Sequence, residues 1–289
     1  MIILVLVLLG LCFASFVNAL VWRVWQQSRV RGHERDRRKA LKAADNKVGT
    51  KEFSILFGRS MCPNCKHMLA WHDLIPVISW LSLQGKCRYC HKPISWQYPL
   101  VELATAFLFV LSYKFFPQLP TTNHQLPFVF WLIFLVGFMA LVIYDLRWML
   151  LPDRIVRPLQ GLAVIYVLLQ AIIYHGGWIS VQGAGLGVIC SAGLFYGLYQ
   201  ISHGKWIGGG DVKLAVILGL LLGGPAKVLL MIFIASSMGT ILVLPLLVLG
   251  KVSKNSRIPF GPFLILATII VYLFGTSLLA WYTRQFLFA

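Results

Sequence analysis

Acidic residues are scarce in this chain: Asp and Glu together number nine in 289 residues. Only four acids follow Asp73, namely Glu102, Asp145, Asp153 and Asp211, and all four lie in or beside apolar stretches. Charged residues of either sign make up 12% of the chain against 58% hydrophobic ones, which excludes an ordinary soluble domain. Other absences narrow the chemistry. The chain has no Walker A loop, no G-x-S-x-G and no H-E-x-x-H, so phosphate-loop, serine-hydrolase and zinc-protease machinery are not indicated. Gly183, Gly185 and Gly187 mimic a nucleotide loop, but they sit inside an apolar run with no preceding strand. Close helix packing is the better reading of them.

What is present is apolar sequence in runs of about 20 residues, the length that crosses a bilayer core. Eight spans are predicted, near 2–24, 98–116, 127–146, 155–174, 182–202, 211–223, 226–249 and 261–283. The sixth is short for a full crossing. The first lacks a basic leader region and is followed by Arg23, so an uncleaved anchor is expected rather than a signal peptide. The formal charge of +17 resembles a nucleic-acid signal, but its distribution argues against a nucleic-acid partner. Fifteen of the 26 Lys and Arg residues fall between Arg23 and Lys92, the one long hydrophilic stretch. With the N-terminus outside, that stretch and most other basic loops fall inside, leaving Lys114, Lys227 and Arg284 on the opposite face. The segment from Gln26 to Lys51 is read as a solvated helix or arm suited to anionic lipid headgroups.

Four of the six cysteines form two pairs, Cys62-Pro-Asn-Cys65 and Cys87-Arg-Tyr-Cys90, separated by 21 residues. Each pair can offer two thiolates from one tight turn, and two such turns complete a tetrahedral zinc site. A closed four-thiolate site has no open position, so structural Zn2+ is expected. Redox pairs are the alternative, without a βαβ pattern to support it. His67, His72 and His91 are expected beside the clip rather than on the metal. Cys12 and Cys190 lie in apolar spans and are expected to be small buried hydrophobes.

Asp145 ends the third span, where the negative end of the helix dipole makes a carboxylate a poor cap. Arg147 is its one local pairing candidate. Asp153 follows Pro152 and is open between an N-cap and a site residue. Asp211 follows Gly208, Gly209 and Gly210, a run that allows close backbone approach to a substrate, and Lys213 two residues on can orient the site. Two nearby carboxylates do not both ionise easily. One keeps a proton and polarises a carbonyl while the other activates water.

With these features the chain resembles bacterial type IV prepilin peptidases, membrane aspartic proteases of the G-x-G-D type. The resemblance rests on Ser15-Phe16-Val17-Asn18, both C-x-x-C pairs, Ile75 through Trp80, and Pro93 through Glu102. It continues through Asp145 to Asp153, Gly208 through Leu214, and Ile258-Pro259-Phe260-Gly261-Pro262. It implies cleavage of a short basic leader from prepilins and pseudopilins at the inner face of the bacterial inner membrane, with Asp145 and Asp211 as the catalytic pair. It also implies N-methylation of the newly exposed residue from S-adenosylmethionine, with Glu102 a candidate contributor to the donor site. Gly208, Gly210, Lys213 and Asp153 are candidates for the substrate loop.

The expected fold is therefore an all-α polytopic bundle with a zinc-clipped cytoplasmic insertion. Residues 1–25 are read as the first membrane helix, 26–97 as the basic segment and tetracysteine domain, and 98–289 as the membrane peptidase domain. The rival readings are a proton-coupled transporter using Asp145 and Asp211, and a non-catalytic membrane scaffold. No internal repeat supports the first.

Overall fold

The computed structural model of the chain describes residues 1–40, 60–116, 125–173, 177–250 and 258–286. The part of the basic segment from 41 onward lies outside them. The described residues are helical apart from turns and two isolated bridges. They divide into two compact units, Met1–Leu111 and Ser112–Ala289.

The first unit holds α1 (Ile2–Ala40), a 3-10 turn (Trp71–Leu74), α2 (Ile78–Ser82) and most of α3 (Gln97–Phe115). Helix α1 runs without a break from apolar sequence into the basic stretch, as far as Ala40. A Cβ added to Gly10 would stand 2.6 Å from Ala106 Cα. That near-contact of backbones sets how α1 crosses α3. Ala14 and Val17 are fully buried at the same seam. Farther along, Asn18 Nδ2 donates to the Tyr98 carbonyl at 3.4 Å.

The second unit is a bundle of α4 (Gln125–Trp148), α5 (Asp153–Ile172), α6 (Gly177–Val188), α7 (Leu194–Ile201), α8 (Gly209–Leu222), α9 (Pro225–Val248) and α10 (Gly261–Phe286). A π-helical turn, Ile189–Gly193, joins α6 to α7. Within it, the Ser191 hydroxyl lies 2.8 Å from the Ala215 carbonyl of α8. Helix α4 packs on α5 and α10: Trp131 stacks on Tyr272 with ring centroids 3.9 Å apart and donates from Nε1 to Ser112 Oγ at 2.9 Å.

Seven helices among the described residues are long and apolar enough to cross a membrane, not eight. The expected sixth span is α8, whose 14 residues rise only about 21 Å against a core of about 30 Å. Its length is set at both ends. Gly223 takes the left-handed conformation that closes a helix, and Pro225 opens α9. Leu214, Ala215, Ile217 and Leu218 of α8 are fully buried, so its apolar surface is spent on the bundle interior. Packing there needs two of the three glycines noted in the sequence. An added Cβ would meet the Gly223 carbonyl oxygen at 2.5 Å from Gly183, and that of Gly219 at 2.5 Å from Gly187. Gly185 faces nothing within 4 Å. The two apolar-span cysteines depart from expectation: Cys12 is exposed and Cys190 only half-buried. A small apolar side chain on a membrane helix is as well served by lipid as by protein.

Candidate active site and thiolate clip

In the first unit the two cysteine pairs fold into matching knuckles. The Cys62 N–H donates to the His67 carbonyl at 3.0 Å and the Lys66 N–H returns to the Cys62 carbonyl at 2.9 Å. The second knuckle repeats this: Cys87 N–H to Lys92 O at 2.9 Å, and His91 N–H to Cys87 O at 2.9 Å. In both, the residue after the second cysteine is left-handed, Lys66 at φ 58° and His91 at φ 55°. All four Sγ atoms lie within 4.8 Å of one another. The Cys62 and Cys90 sulfurs are 3.9 Å apart, close to the roughly 3.8 Å edge of a zinc–thiolate tetrahedron with bonds of about 2.3 Å. The donor set and its spacing fit a zinc ion. Burial pushes the Cys62 thiol up, but the N–H groups of Cys65 and Asn64 and the neighbouring thiols outweigh it and hold it at about 7.

Asp73, to which the sequence assigned no role, ties the knuckles together. Its carboxylate accepts from Arg88 Nε at 2.8 Å, Tyr89 OH at 3.1 Å and the Ala70 N–H at 3.3 Å. Burial raises its pKa, yet these bonds prevail and hold it below the usual carboxylate range. The histidines stand beside the clip, as expected. The His67 ring lies 3.7 Å from that of Tyr89, and His72 Nε2 is 3.6 Å from Asp73.

Glu102 is buried in the second turn of α3, where Oε2 accepts the Val77 N–H at 2.8 Å. Val77 caps α2 at φ 60°, ψ −51°, a costly conformation for a β-branched residue. The carboxylate anchors that turn to α3. The Glu102 bond and the packing of Trp80 on Trp96, 4.1 Å between centroids, fix the peptide that links the knuckles.

The second unit brings Asp145 and Asp211 to one place. Helix α4 ends just beyond Asp145, where left-handed Met149 returns its N–H to the Asp145 carbonyl at 2.8 Å. Helix α8 begins with the glycine run: Gly208 is the cap, and Asp211 lies in the first turn with its N–H on the Gly208 carbonyl at 3.0 Å. So Asp211 is not the N-cap residue of α8, although its carboxylate turns back toward the Gly208 N–H in the first turn. Gly210 lets this turn press on the link between α4 and α5, since a Cβ there would be 3.1 Å from Leu151 Cβ. The third participant is Gly261, which opens α10. A Cβ on Gly261 would sit 2.7 Å from Asp145 Oδ2 and 3.8 Å from Asp211 Oδ1. The two carboxylates thus flank one point, and a hydrogen is all that the backbone carries there. Asp145 Oδ2 is buried with no hydrogen-bond partner among the described residues. A buried carboxylate oxygen that the fold itself does not use is available to a reacting group.

The other site candidates fall into place around this pair. Arg147 is not the partner of Asp145; its guanidinium lies over the Trp148 ring at 5.8 Å, and no ion pair joins the two among the described residues. Asp153 does not cap α5, because Pro152 holds that position. It pairs instead with Lys213 Nζ at 2.6 Å and Arg157 at 3.5 Å. Gln160 adds a bond to the Lys213 carbonyl at 2.9 Å. These contacts strap the start of α5 to the start of α8 beside the dyad.

Comparison with known proteins adds to this geometry. Residues 8–116 match the bacterial peptidase A24 N-terminal domain and residues 131–244 the type IV leader peptidase family. A protein of Aeromonas hydrophila named prepilin leader peptidase/N-methyltransferase is 33% identical, over 97% of this chain and 93% of its own length. Proteins of the same name from Pseudomonas aeruginosa and Bacillus subtilis are 32% and 30% identical, over 97% and 80% of this chain and 92% and 88% of theirs. No solved structure matches the chain.

Proposed function

We propose that this chain, which belongs to the type IV leader peptidase family, is a multi-pass membrane enzyme that removes the leader peptide of prepilins and methylates the new N-terminus. Leader peptidase and N-methyltransferase activity is the name its relatives carry along nearly the whole chain. The residues responsible are our own reading. The observation that carries it is the approach of Asp145 and Asp211 to one point beside Gly261.

Peptide cleavage by such a pair needs one proton shared between two carboxyls. The protonated member donates to the scissile carbonyl, and the ionised member takes a proton from the attacking water. The proton then passes to the leaving amine. Gly208 leaves the backbone bare beside the pair for an extended peptide, whereas Gly210 is taken up by its packing on Leu151. Asp153 and Lys213 hold the two helix starts in register.

The thiolate clip is assigned a structural Zn2+, held by Cys62, Cys65, Cys87 and Cys90, that fixes the cytoplasmic insertion without joining the chemistry. S-adenosylmethionine is the methyl donor in this reading, and it supplies the methyl group. Among the described residues no cradle for it is marked out, and Glu102 is already committed to the Val77 amide. Residues 1–25, 26–97 and 98–289 are assigned as anchor, cytoplasmic insertion and membrane peptidase. The N-terminus is assigned to the periplasm of the inner membrane, with the clip in the cytoplasm, where the basic segment meets anionic lipid. Prepilins and pseudopilins are the partners.

The test is purified protein and a prepilin in detergent, followed by mass spectrometry. Loss of the leader and a gain of one methyl group are expected together. No cleavage by wild-type protein, or full cleavage by Asp145→Asn or Asp211→Asn, overturns the reading.

A further inference from the structure

A pocket of about 260 Å³ lies within the second unit, away from the carboxylate pair. Helices α4, α5 and α8 reach it with the ends opposite to those that carry Asp145, Asp153 and Asp211. Gln170 of the last turn of α5 lines it, about 25 Å along that helix from Asp153. Ser180 of α6 and Lys227 of α9 line it too. All three are half-buried, so a ligand can reach them from outside the bundle. Beside them the Tyr166 and Tyr272 hydroxyls share a hydrogen bond of 2.8 Å.

Lys227 is the residue that the fold does not explain. It lies on the face opposite the basic loops, against the charge asymmetry of the chain. It also stands in the first turn of α9, where the helix dipole disfavours a cation. Its stem is placed: a Cβ on Gly275 would rest 3.9 Å from Lys227 Cγ. Its charge is not. Among the described residues Lys227 Nζ makes no ion pair and no hydrogen bond, not even to the end of α8 in the same lining. An ammonium partly withdrawn from water is costly without a partner. The second unit has three acidic side chains, Asp145, Asp153 and Asp211, all at its other end. The counter-charge must come from outside the unit.

We infer that this pocket holds the phosphate of an anionic phospholipid headgroup, with Lys227 as its counter-charge and Gln170 and Ser180 as further donors. Depth points to lipid. Trp178, 70% exposed at the start of α6, stands two residues before Ser180, and an exposed Trp at a helix end sits at headgroup level. Size agrees, since the volume falls below that of a site for a drug-sized ligand. It admits a phosphate with its glycerol and leaves the acyl chains outside. Neither carboxylate of the dyad takes part, so the site stands apart from peptide cleavage.

The basic segment before Cys62 also attracts anionic lipid, so the readout must be local. Wild-type protein is placed in phosphatidylcholine liposomes that contain phosphatidylglycerol with a diazirine beside its headgroup. After illumination, adducts are mapped by mass spectrometry. An adduct is expected on the peptides around Gln170, Ser180 and Lys227. Lys227→Gln lowers its yield about tenfold or more, since a charge-assisted bond is lost, and Lys227→Arg keeps it. Adducts on the basic segment stay constant in all three proteins. Unlabelled phosphatidylglycerol displaces the pocket adduct, whereas added phosphatidylcholine and millimolar inorganic phosphate do not. No adduct at the pocket, or an unchanged yield in folded Lys227→Gln protein, overturns the inference. Equal displacement by phosphatidylcholine overturns the anionic headgroup, and displacement by inorganic phosphate overturns the lipid. If Lys227→Gln does not fold, the competition on wild-type protein decides.

Discussion

Cys62, Cys65, Cys87 and Cys90 come from two turns that each close on themselves, whereas Asp145 and Asp211 come from the ends of two helices with 65 residues between them. Each knuckle is made by hydrogen bonds reaching no more than nine residues along the chain. The dyad has no such local frame. It forms where Gly210 presses on Leu151 and α10 presents a bare Cα between the carboxylates, with the exposed Asp153–Lys213 pair beside it. A local site declares itself by spacing. A non-local one is held by the bundle and is sensitive to single atoms far along the chain.

The largest break in this comparison is expected at the aspartates. Asp145→Asn or Asp211→Asn should lower leader cleavage by about 10³-fold or more, because an amide cannot exchange the shared proton. Zinc content should stay near one per chain. The Asp211→Asn enzyme should still transfer tritium from labelled S-adenosylmethionine to a pre-cleaved pilin, whose free amine needs no hydrolysis. If the folded variant transfers no label while wild type does, a shared site must replace the two-site view.

Next in size is Gly261→Ala. Its Cβ would meet Asp145 Oδ2 at 2.7 Å, so the carboxylates must part. A shift of about 1 Å costs on the order of 10²-fold in rate. Unchanged kinetics would show that the dyad does not need the bare position.

At the clip, Cys62→Ser or Cys87→Ser should release the metal, as read by elemental analysis, and methylation should fall at least as far as cleavage. A metal-free preparation with intact cysteines and full activity would remove the zinc assignment. Asp73→Asn tests the strap between knuckles and should cost about 1 kcal/mol, discounted because Arg88 is half exposed. Faster zinc loss to a chelator is the readout. The wild-type carboxylate's pKa is depressed, so its contribution is complete at neutral pH and fades only as the pH falls through that lowered value.

Asp153→Asn should have the smallest effect. Its side chain is 40% exposed, and such ion pairs are worth about 1 kcal/mol or less. Cleavage within about twofold of wild type is expected, against the large loss at Asp145. A loss matching that of Asp145 would make Asp153 part of the chemistry.

The sequence by itself determined the membrane character, because apolar runs of spanning length are a property of composition along the chain. It also marked the four thiols that cluster, since C-x-x-C is a local geometry, and it singled out the acids, since so few occur in apolar surroundings. Tertiary structure decided the rest. The sequence showed that the sixth apolar segment is short, but only packing shows that α8 lies buried, because the sequence does not say whether an apolar face meets lipid or protein. Asp153 was read as a possible cap but pairs with Lys213, and that bond depends on two helix starts meeting across 60 residues. Asp73 and Glu102 do their work through partners at the other end of a loop, so no spacing rule could assign them. Gly261 has no functional atom of its own. Its part comes from where α10 begins and from the side chain it does not have.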